Sequence, residues 1–174
     1  MNQVRSRAWL EAALHDIWDR HFEDVPVANV VRITYSGPSK TRLGWIALSE
    51  TGQFTTIGIN RLLRFPEVPE DVCIITIAHE VVHYSHGFGS PLQQRHADPH
   101  AGGVVERDLE YRGLAGALAR YYGWSTHEWA GHYERYARRA AHQITERCSS
   151  EAAESQRQYP TVAALDVPAP AARR

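Results

Sequence analysis

The sequence predicts an α+β domain with an N-terminal helix, a small antiparallel three-stranded sheet, a central helix and two or more C-terminal helices. Apolar residues recur at helical spacing over residues 7–22. Residues 27–59 are dense in β-branched side chains and are interrupted by turn signals, and helical patterning then returns in several later segments. A chain of 174 residues is long enough to bury one hydrophobic core.

The composition is that of an ordinary globular protein, with 43% hydrophobic and 22% charged residues. The formal net charge of −1 provides no general attraction to nucleic acid or to anionic membranes. No apolar run approaches the ~20 residues of a membrane span, and the N-terminus does not resemble a secretory signal. The two cysteines, Cys73 and Cys148, do not suggest a disulfide framework, so we expect a cytoplasmic protein with no membrane partner.

Residues 27–59 predict the sheet. Turn signals at residues 36–39 and 50–53 separate three short β-rich stretches, which indicates strands joined by tight turns. The strands are expected at residues 27–35, 43–48 and 54–59. Tight turns between consecutive strands predict an antiparallel sheet or meander.

The central helix carries the most informative pattern in the chain. It is expected to begin in the segment 66–71, where prolines precede acidic residues, and to end at Gly87. Within it, His79, Glu80 and His83 form a His-Glu-x-x-His motif on an otherwise apolar helix. Residues four apart share a helix face, so both histidines can bind one ion while Glu80 stands beside them as a base. The alternative is a pair of buried histidines that meet no metal.

The remainder of the chain predicts a loop from Gly87 to Pro99 and then helical segments. Gly113 and Gly116 are expected to interrupt the first of these, and Ser125 or Thr126 to cap a last helix over residues 127–147. Residues 1–148 are expected to form one domain. The Ala-, Ser- and Pro-rich residues 149–174 are expected to be a disordered tail.

A catalytic zinc usually takes three protein ligands, so the motif leaves one ligand to find. The candidates are His86, His96, His100 and Glu106. The metzincin pattern is excluded, because it requires histidine at position 89, where this chain has Gly89. His86 cannot converge on the same ion from the same straight helix and is expected to line the cleft or lie on the surface.

Two of the other candidates each have a structural rationale. Glu106, with Glu110 four residues later, suits the gluzincin arrangement, in which a second helix supplies a carboxylate. His100 stands at the end of the loop, where the segment Ala101-Gly102-Gly103 can deliver an imidazole just before a helix.

The chain also resembles the SprT-like zinc metallopeptidases, the group that includes Spartan. The resemblance covers about residues 25–115 and rests on three segments: Gly58-Ile59-Asn60-Arg61-Leu62-Leu63, the motif helix, and His100-Ala101-Gly102-Gly103-Val104. It implies a zincin-like fold with zinc held by His79, His83 and His100. In the family the third histidine is usually followed directly by glycine, whereas here His100 is followed by Ala101. The downstream cysteine ribbon is absent from this sequence, so DNA association is implied only by resemblance and is not supported by charge.

We therefore expect a zinc-dependent metalloendopeptidase acting on a protein or peptide substrate, with Glu80 taking a proton from a zinc-activated water. If the strand Thr55–Asn60 edges the cleft, as the resemblance to zincins implies, it could align an extended peptide by strand addition. Tyr84, Tyr111 and His127 are candidates for stabilising the oxyanion. The alternatives are a gluzincin-type peptidase that uses Glu106 and a non-catalytic module in which zinc only stabilises an interaction domain.

Overall fold

The structure of the protein is a computed structural model that describes residues 3–137 and 139. The chain divides into two compact units, Met1–Glu134 and Arg135–Arg174. In the second unit the described residues 135–137 are helical. The expected tail at residues 149–174 lies outside the described residues, as do residues 138 and 140–147 of the helix expected at 127–147. All elements labelled below belong to the first unit, which is α+β as the sequence predicts.

The first helix, α1, spans Arg7–His21. The side chain of Ser6 caps it by accepting a hydrogen bond from the backbone N–H of Trp9 at 3.2 Å. Its buried face consists of Leu10, Ala13, Leu14 and Ile17. This apolar stripe packs on the sheet and on the central helix, as the helical spacing predicts.

The sheet is mixed, which corrects the predicted antiparallel meander. Its strands are β1 (Val30–Ser36), β2 (Gly44–Leu48) and β3 (Phe54–Asn60), in the order β1-β3-β2. β2 and β3 form the expected antiparallel hairpin, whereas β1 pairs with β3 in parallel. Because β3 is the central strand, both of its edges are occupied. The expectation that β3 edges a peptide-binding cleft is therefore wrong.

Asn60 explains why the connection from β1 to β2 is not a tight turn. Its backbone N–H donates to Leu43 O at 2.7 Å, and its side-chain amide donates to Ser39 O at 2.8 Å and to Arg42 O at 3.0 Å. The side chain of this buried residue thus holds the loop 37–43 across the end of β3. That crossing delivers β2 to the far side of β3, because an intervening loop of this length does not force neighbouring strands to pair.

The central helix α2 spans Glu70–Ser85, with Pro69 before its first turn and Gly87 shortly after its last. Nearly every side chain in it is buried, including the polar Thr76, Glu80 and His83. It contacts α1, β2, β3 and the two helices that follow it. A helix surrounded on all sides is apolar all round, and its few polar side chains need partners or a cavity.

Two more helices follow, α3 (Val104–Tyr111) and α4 (Ala115–His127). Gly113 separates them as predicted, but Gly116 lies inside α4. The prediction that Ser125 or Thr126 caps a new helix is wrong. α4 continues through both residues, and its last turn closes with a 2.8 Å bond from Glu128 N–H to Trp124 O. A further helix starts at residue 129. None of the described helices combines the length and the apolar character that a membrane span requires.

Candidate metal centre and cleft

Three histidine side chains converge on one point. The Nε2 atoms of His79 and His83 are 3.0 Å apart, and each lies 3.1 Å from Nε2 of His100. The four-residue spacing on α2 places the first two on one face, and the loop after α2 brings the third. These three histidines therefore lie close enough to bind a metal ion.

His100 is positioned by the turn in which it lies. Its backbone N–H donates to the side chain of Asp98 at 2.8 Å, an Asx-type contact. Gly102 and Gly103 follow with φ values of 62° and 70°, which are left-handed conformations that suit glycine. They redirect the chain from the loop into α3, and Gly103 is the residue that caps that helix. The short Ala-Gly-Gly segment thus orients His100 towards α2.

The chemistry of the three rings favours a shared cation. Burial first, and the neighbouring imidazoles second, lower the pKa of His79 to about 4 and that of His83 to about 3. Neutral imidazoles present nitrogen lone pairs, and one ring proton cannot satisfy three Nε2 atoms that face one another. A cation at their common point could accept a lone pair from each of the three nitrogens. Nδ1 of His83 has no hydrogen-bond partner within the described part of the chain, so packing must orient that ring.

Glu80 lies beside the histidines and is only 5% exposed. Burial raises the pKa of its carboxyl group to about 8, and the positive charge of Arg42 opposes that shift. β2 approaches this carboxylate closely: a Cβ atom on Gly44 would stand 2.5 Å from Glu80 Oε1. The absence of a side chain at Gly44 therefore makes room for the Glu80 carboxylate between α2 and the sheet.

The outer edge of β2, next to this carboxylate, pairs with no other described strand. The 2.7 Å bond from Asn60 N–H to Leu43 O and the 2.8 Å bond from Ser49 N–H to Phe54 O mark the two ends of the β2–β3 ladder. Hydrogen-bonded pairs alternate along an antiparallel ladder, so the backbone groups of Gly44 and Ile46 point away from β3. Among the described residues, no backbone hydrogen bond reaches them from that side. This edge can pair with an extended chain.

The histidines, Glu80 and β2 border a single cleft of about 450 Å³. A larger cavity of about 680 Å³ lies elsewhere, between α1 and β1, and contains no part of the histidine group. Size alone therefore does not identify the functional site. The cleft wall is completed by residues of the loop 41–43, the loop after α2 and α4, namely Thr41, Arg42, Leu43, Phe88, Gly89, Pro99 and Tyr121.

The other candidate ligands point elsewhere. Glu106 accepts a 3.0 Å hydrogen bond from the hydroxyl of Tyr122. His86 is buried rather than on the surface, and its Nε2 lies 2.9 Å from Asp108 Oδ2. His96 packs on His86 with ring centroids 4.8 Å apart. None of the three candidates belongs to the group of side chains that the structure brings together around His100.

The structure also changes the set of candidates for stabilising an oxyanion. Tyr84 is fully buried and its hydroxyl donates to Asn29 at 3.0 Å, while Tyr111 is 89% exposed. His127 is exposed and does not line the cleft. Tyr121 lines it instead. Sequence reasoning missed this residue because the packing of α4 beside the cleft is a tertiary relationship that no local pattern indicates.

Sequence reasoning also missed Arg42, Gly44 and Asp98. Only Asp98 had a local signal, since Asp-Pro-His is a typical turn sequence. Arg42 and Gly44 matter because the loop 37–43 crosses the sheet, which no local pattern indicates. Comparisons of the chain with models of protein families, with curated proteins and with solved structures found no match.

Proposed function

We propose that this chain is a zinc-dependent metallopeptidase that cleaves peptide bonds within an extended substrate. One observation carries the proposal: three histidine Nε2 atoms and the carboxylate of Glu80 line a single cleft, beside a strand edge that no described residue pairs with. Metal ligands, a buried carboxylate and a peptide-pairing edge are the three components that hydrolysis of a peptide by a metal-activated water requires.

Zinc suits the ligand set. Zinc is commonly bound by histidine nitrogens at about 2.0–2.1 Å in tetrahedral geometry, which separates the nitrogens by about 3.3–3.4 Å. The observed separations of 3.0–3.1 Å are within a few tenths of an ångström of that value. Among the described residues, three side chains form this group of possible metal ligands. Three protein ligands leave a coordination position for water or substrate, whereas structural zinc sites are closed by four.

When bound, zinc supplies a Lewis acid that activates water and polarises the scissile carbonyl. Glu80 accepts a proton from the attacking water and delivers it to the departing amine nitrogen. Burial alone favours the protonated form of this carboxyl group. A cation held by His79 and His83 would favour the ionised form, which is the form that can act as a base.

Tyr121 is the side chain that would donate a hydrogen bond to the oxygen of the tetrahedral intermediate. Burial raises its pKa, and the negative charges of Glu80 and Glu106 raise it further. The hydroxyl therefore stays protonated and remains a donor at neutral pH. Donors aimed at the developing oxyanion are worth about 10²–10³ in rate where they have been removed from other hydrolases.

The outer edge of β2 would hold the substrate. The outward backbone groups of Gly44 and Ile46 can pair with an extended peptide as an added strand. Antiparallel pairing is the more favourable arrangement per residue. Because Gly44 adjoins Glu80, the bond to be cleaved would lie at the level of Gly44.

We further propose that the chain is a SprT-like metallopeptidase. The support is the helix α2, which carries the His-Glu-x-x-His motif, together with His100 in the loop that follows α2. Association with DNA is not part of the proposed function, because the net charge of −1 provides no electrostatic attraction to phosphates.

A purely structural zinc module is the rival function. It would require a fourth ligand such as His96 or Glu106, and both have other partners.

The deciding experiment compares the wild-type chain with Glu80→Gln, which retains the shape of the side chain and removes the base. Both proteins are loaded with zinc, and cleavage of fluorescently labelled casein is measured beside zinc content. We expect one zinc per chain in both proteins and hydrolysis only in the wild type. Equal hydrolysis by Glu80→Gln would contradict the assigned mechanism. Bound zinc with no hydrolysis by the wild type would favour the structural module.

A further inference from the structure

The cleft is chemically asymmetric along β2. Arg42 lies two residues before Gly44 and is the one Arg or Lys side chain among the described residues that line the cleft. Its guanidinium has no ion pair within the described part of the chain, although its charge reaches Glu80. The backbone around it is held in place, because its carbonyl accepts from the Asn60 side chain and its N–H donates to Ser39 Oγ. An anchored, unpaired cation in a cleft is available to a ligand.

The opposite end of the cleft is apolar. Ile46, two residues after Gly44, packs against the loop that follows α2: a Cβ atom on Gly89 would stand 2.9 Å from Ile46 Cγ1. Phe88 belongs to the same loop, and its ring centroid lies 6.3 Å from that of His83. Both side chains line the cleft. Together they form an apolar wall on the side of Gly44 away from Arg42.

We propose that the cleft selects peptides with an apolar residue on the N-terminal side of the cleaved bond and a carboxylate on its C-terminal side. This inference rests on the proposed peptidase function. A peptide antiparallel to β2 runs from Ile46 towards Arg42, because β2 itself runs from residue 44 to residue 48. Its residues before the cleaved bond then meet Ile46 and Phe88, and those after it approach Arg42.

Arg42 identifies the chemistry of its ligand but not its source. A guanidinium binds a carboxylate through charge-assisted and often bidentate hydrogen bonds. The carboxylate can belong to an Asp or Glu side chain shortly after the cleaved bond, or to the free C-terminus of a short peptide. Two residues of extended chain span about 6.7 Å, so the carboxylate is expected within the first two or three residues after that bond.

The test uses quenched fluorescent peptides that share one sequence, with Leu before the cleaved bond and Glu, Gln or Lys two residues after it. Each peptide has an amidated C-terminus, and a fourth peptide has Gln with a free C-terminal carboxylate at that distance. We expect the zinc-loaded wild type to cleave the Glu peptide with a kcat/KM at least fivefold above that of the Gln peptide, with Lys lowest. A similar preference for the fourth peptide would identify the C-terminus as the preferred source.

Arg42→Glu is expected to reverse the order, so that the Lys peptide becomes the better substrate, and Arg42→Lys is expected to retain the preference for Glu. The control is Arg32→Glu, which reverses a charge on β1 outside the cleft and is expected to leave the ratio unchanged. This reversal of preference distinguishes charge recognition from general damage to the fold.

Equal cleavage of the Glu, Gln and Lys peptides by the wild type would overturn the inference while leaving the peptidase function intact. So would a preference for Glu before, rather than after, the cleaved bond, because that order requires a parallel substrate. If the zinc-loaded wild type cleaves none of the peptides and no labelled casein, the proposed function fails and this inference fails with it.

Discussion

The main chain of Gly44 lies against the side chain of Glu80. A Cβ atom at position 44 would stand 2.5 Å from Glu80 Oε1 and 2.9 Å from Thr76 Cγ2. Real side-chain atoms do not approach that closely, so a larger residue at position 44 must displace its neighbours. The strand that would hold the substrate and the carboxylate that would act as base are thus adjacent because residue 44 is glycine.

Gly44→Ala is therefore expected to impair hydrolysis more than folding. The nearest atom belongs to the end of the Glu80 side chain, which can rotate away at low cost. We expect kcat to fall at least tenfold, because a displaced base no longer reaches the attacking water. Zinc content is expected to be unchanged, since the three histidines lie on other elements. Kinetics with labelled casein and metal analysis check both outcomes.

Gly123→Ala is the matched control for that substitution. Gly123 lies in α4, and no atom stands within 4 Å of a Cβ built on it. Alanine in a helix interior is expected to stabilise the fold by about 0.5–1 kcal/mol without altering hydrolysis. Full activity of Gly44→Ala would show that the Glu80 carboxylate does not act from the position seen beside β2.

The third metal ligand is tested by comparing His100→Ala with Glu106→Ala. Removal of His100 leaves two imidazoles, so we expect at least a 100-fold loss of zinc affinity. Glu106 is engaged by the Tyr122 hydroxyl, and its removal is expected to leave zinc content unchanged. Titration with a zinc-competing chromophoric chelator measures both affinities. Loss of zinc from Glu106→Ala and not from His100→Ala would favour the gluzincin arrangement.

Metal removal provides an independent readout. A ligand that binds only the folded state stabilises the protein. At ligand concentrations above Kd, the gain grows with the logarithm of the ratio of ligand concentration to Kd. We expect chelation with EDTA to lower the melting temperature of the wild type and of Glu106→Ala. In His100→Ala the same treatment is expected to have little effect, because little zinc is bound. Calorimetry of the full chain checks this.

Much of the fold followed from local patterns. The apolar period of α1, the β-rich stretches and the proline and glycine that bound α2 all act over a few residues, so their positions could be predicted to within about three residues. The pairing of β1 with β3 could not. It goes with a loop, residues 37–43, that the side chain and backbone of Asn60 hold across the end of β3. Interactions between residues about 20 positions apart leave no periodic pattern.

The candidate site divides in the same way. His79, Glu80 and His83 were predictable because one helical turn brings them together. The choice of His100 over Glu106 depends on a turn that the Asp98 side chain and two left-handed glycines stabilise, and the sequence left both candidates open. The parts of the cleft wall that β2 and α4 contribute could not be predicted, because they depend on the tertiary fold.

Tyr121→Phe tests the hydrogen bond to the oxyanion. The change removes one oxygen atom from a side chain that lines the cleft, so the fold is expected to remain intact. We expect kcat to fall by about 10²-fold with little change in KM, because the bond forms only as negative charge develops. Steady-state kinetics separate the two parameters. Tyr111→Phe, on an 89% exposed tyrosine, is the control and is expected to match the wild type.

A fall in both kcat and zinc content in Tyr121→Phe would contradict the catalytic role, because it would indicate that Tyr121 supports the histidines. Unchanged kinetics would remove Tyr121 from the mechanism. The raised pKa of Tyr121 also predicts how activity depends on pH. No loss of activity is expected from its ionisation near neutral pH, because the shift moves its titration further into the alkaline range.

Arg112 is expected to be the main polar contributor to the stability of the helices around the site. Its side chain is 8% exposed and bonds Asp108 Oδ1 at 2.8 Å, Asp24 Oδ1 at 2.6 Å and the backbone carbonyl of His21 at 2.6 Å. Asp108 in turn contacts His86 at the end of α2. These contacts join α1, α2 and α3 through one guanidinium.

Arg112→Met is expected to lower the free energy of unfolding by about 3 kcal/mol, because it leaves the carboxylate of Asp108, which is only 16% exposed, without its cation. Urea unfolding of the full chain measures this change. The control is Arg120→Met, which breaks an ion pair with Asp71 that is exposed to solvent, and is expected to leave the transition midpoint almost unchanged. Equal midpoints for the two variants would mean that solvent screens the Arg112 contacts as fully as it screens those of Arg120.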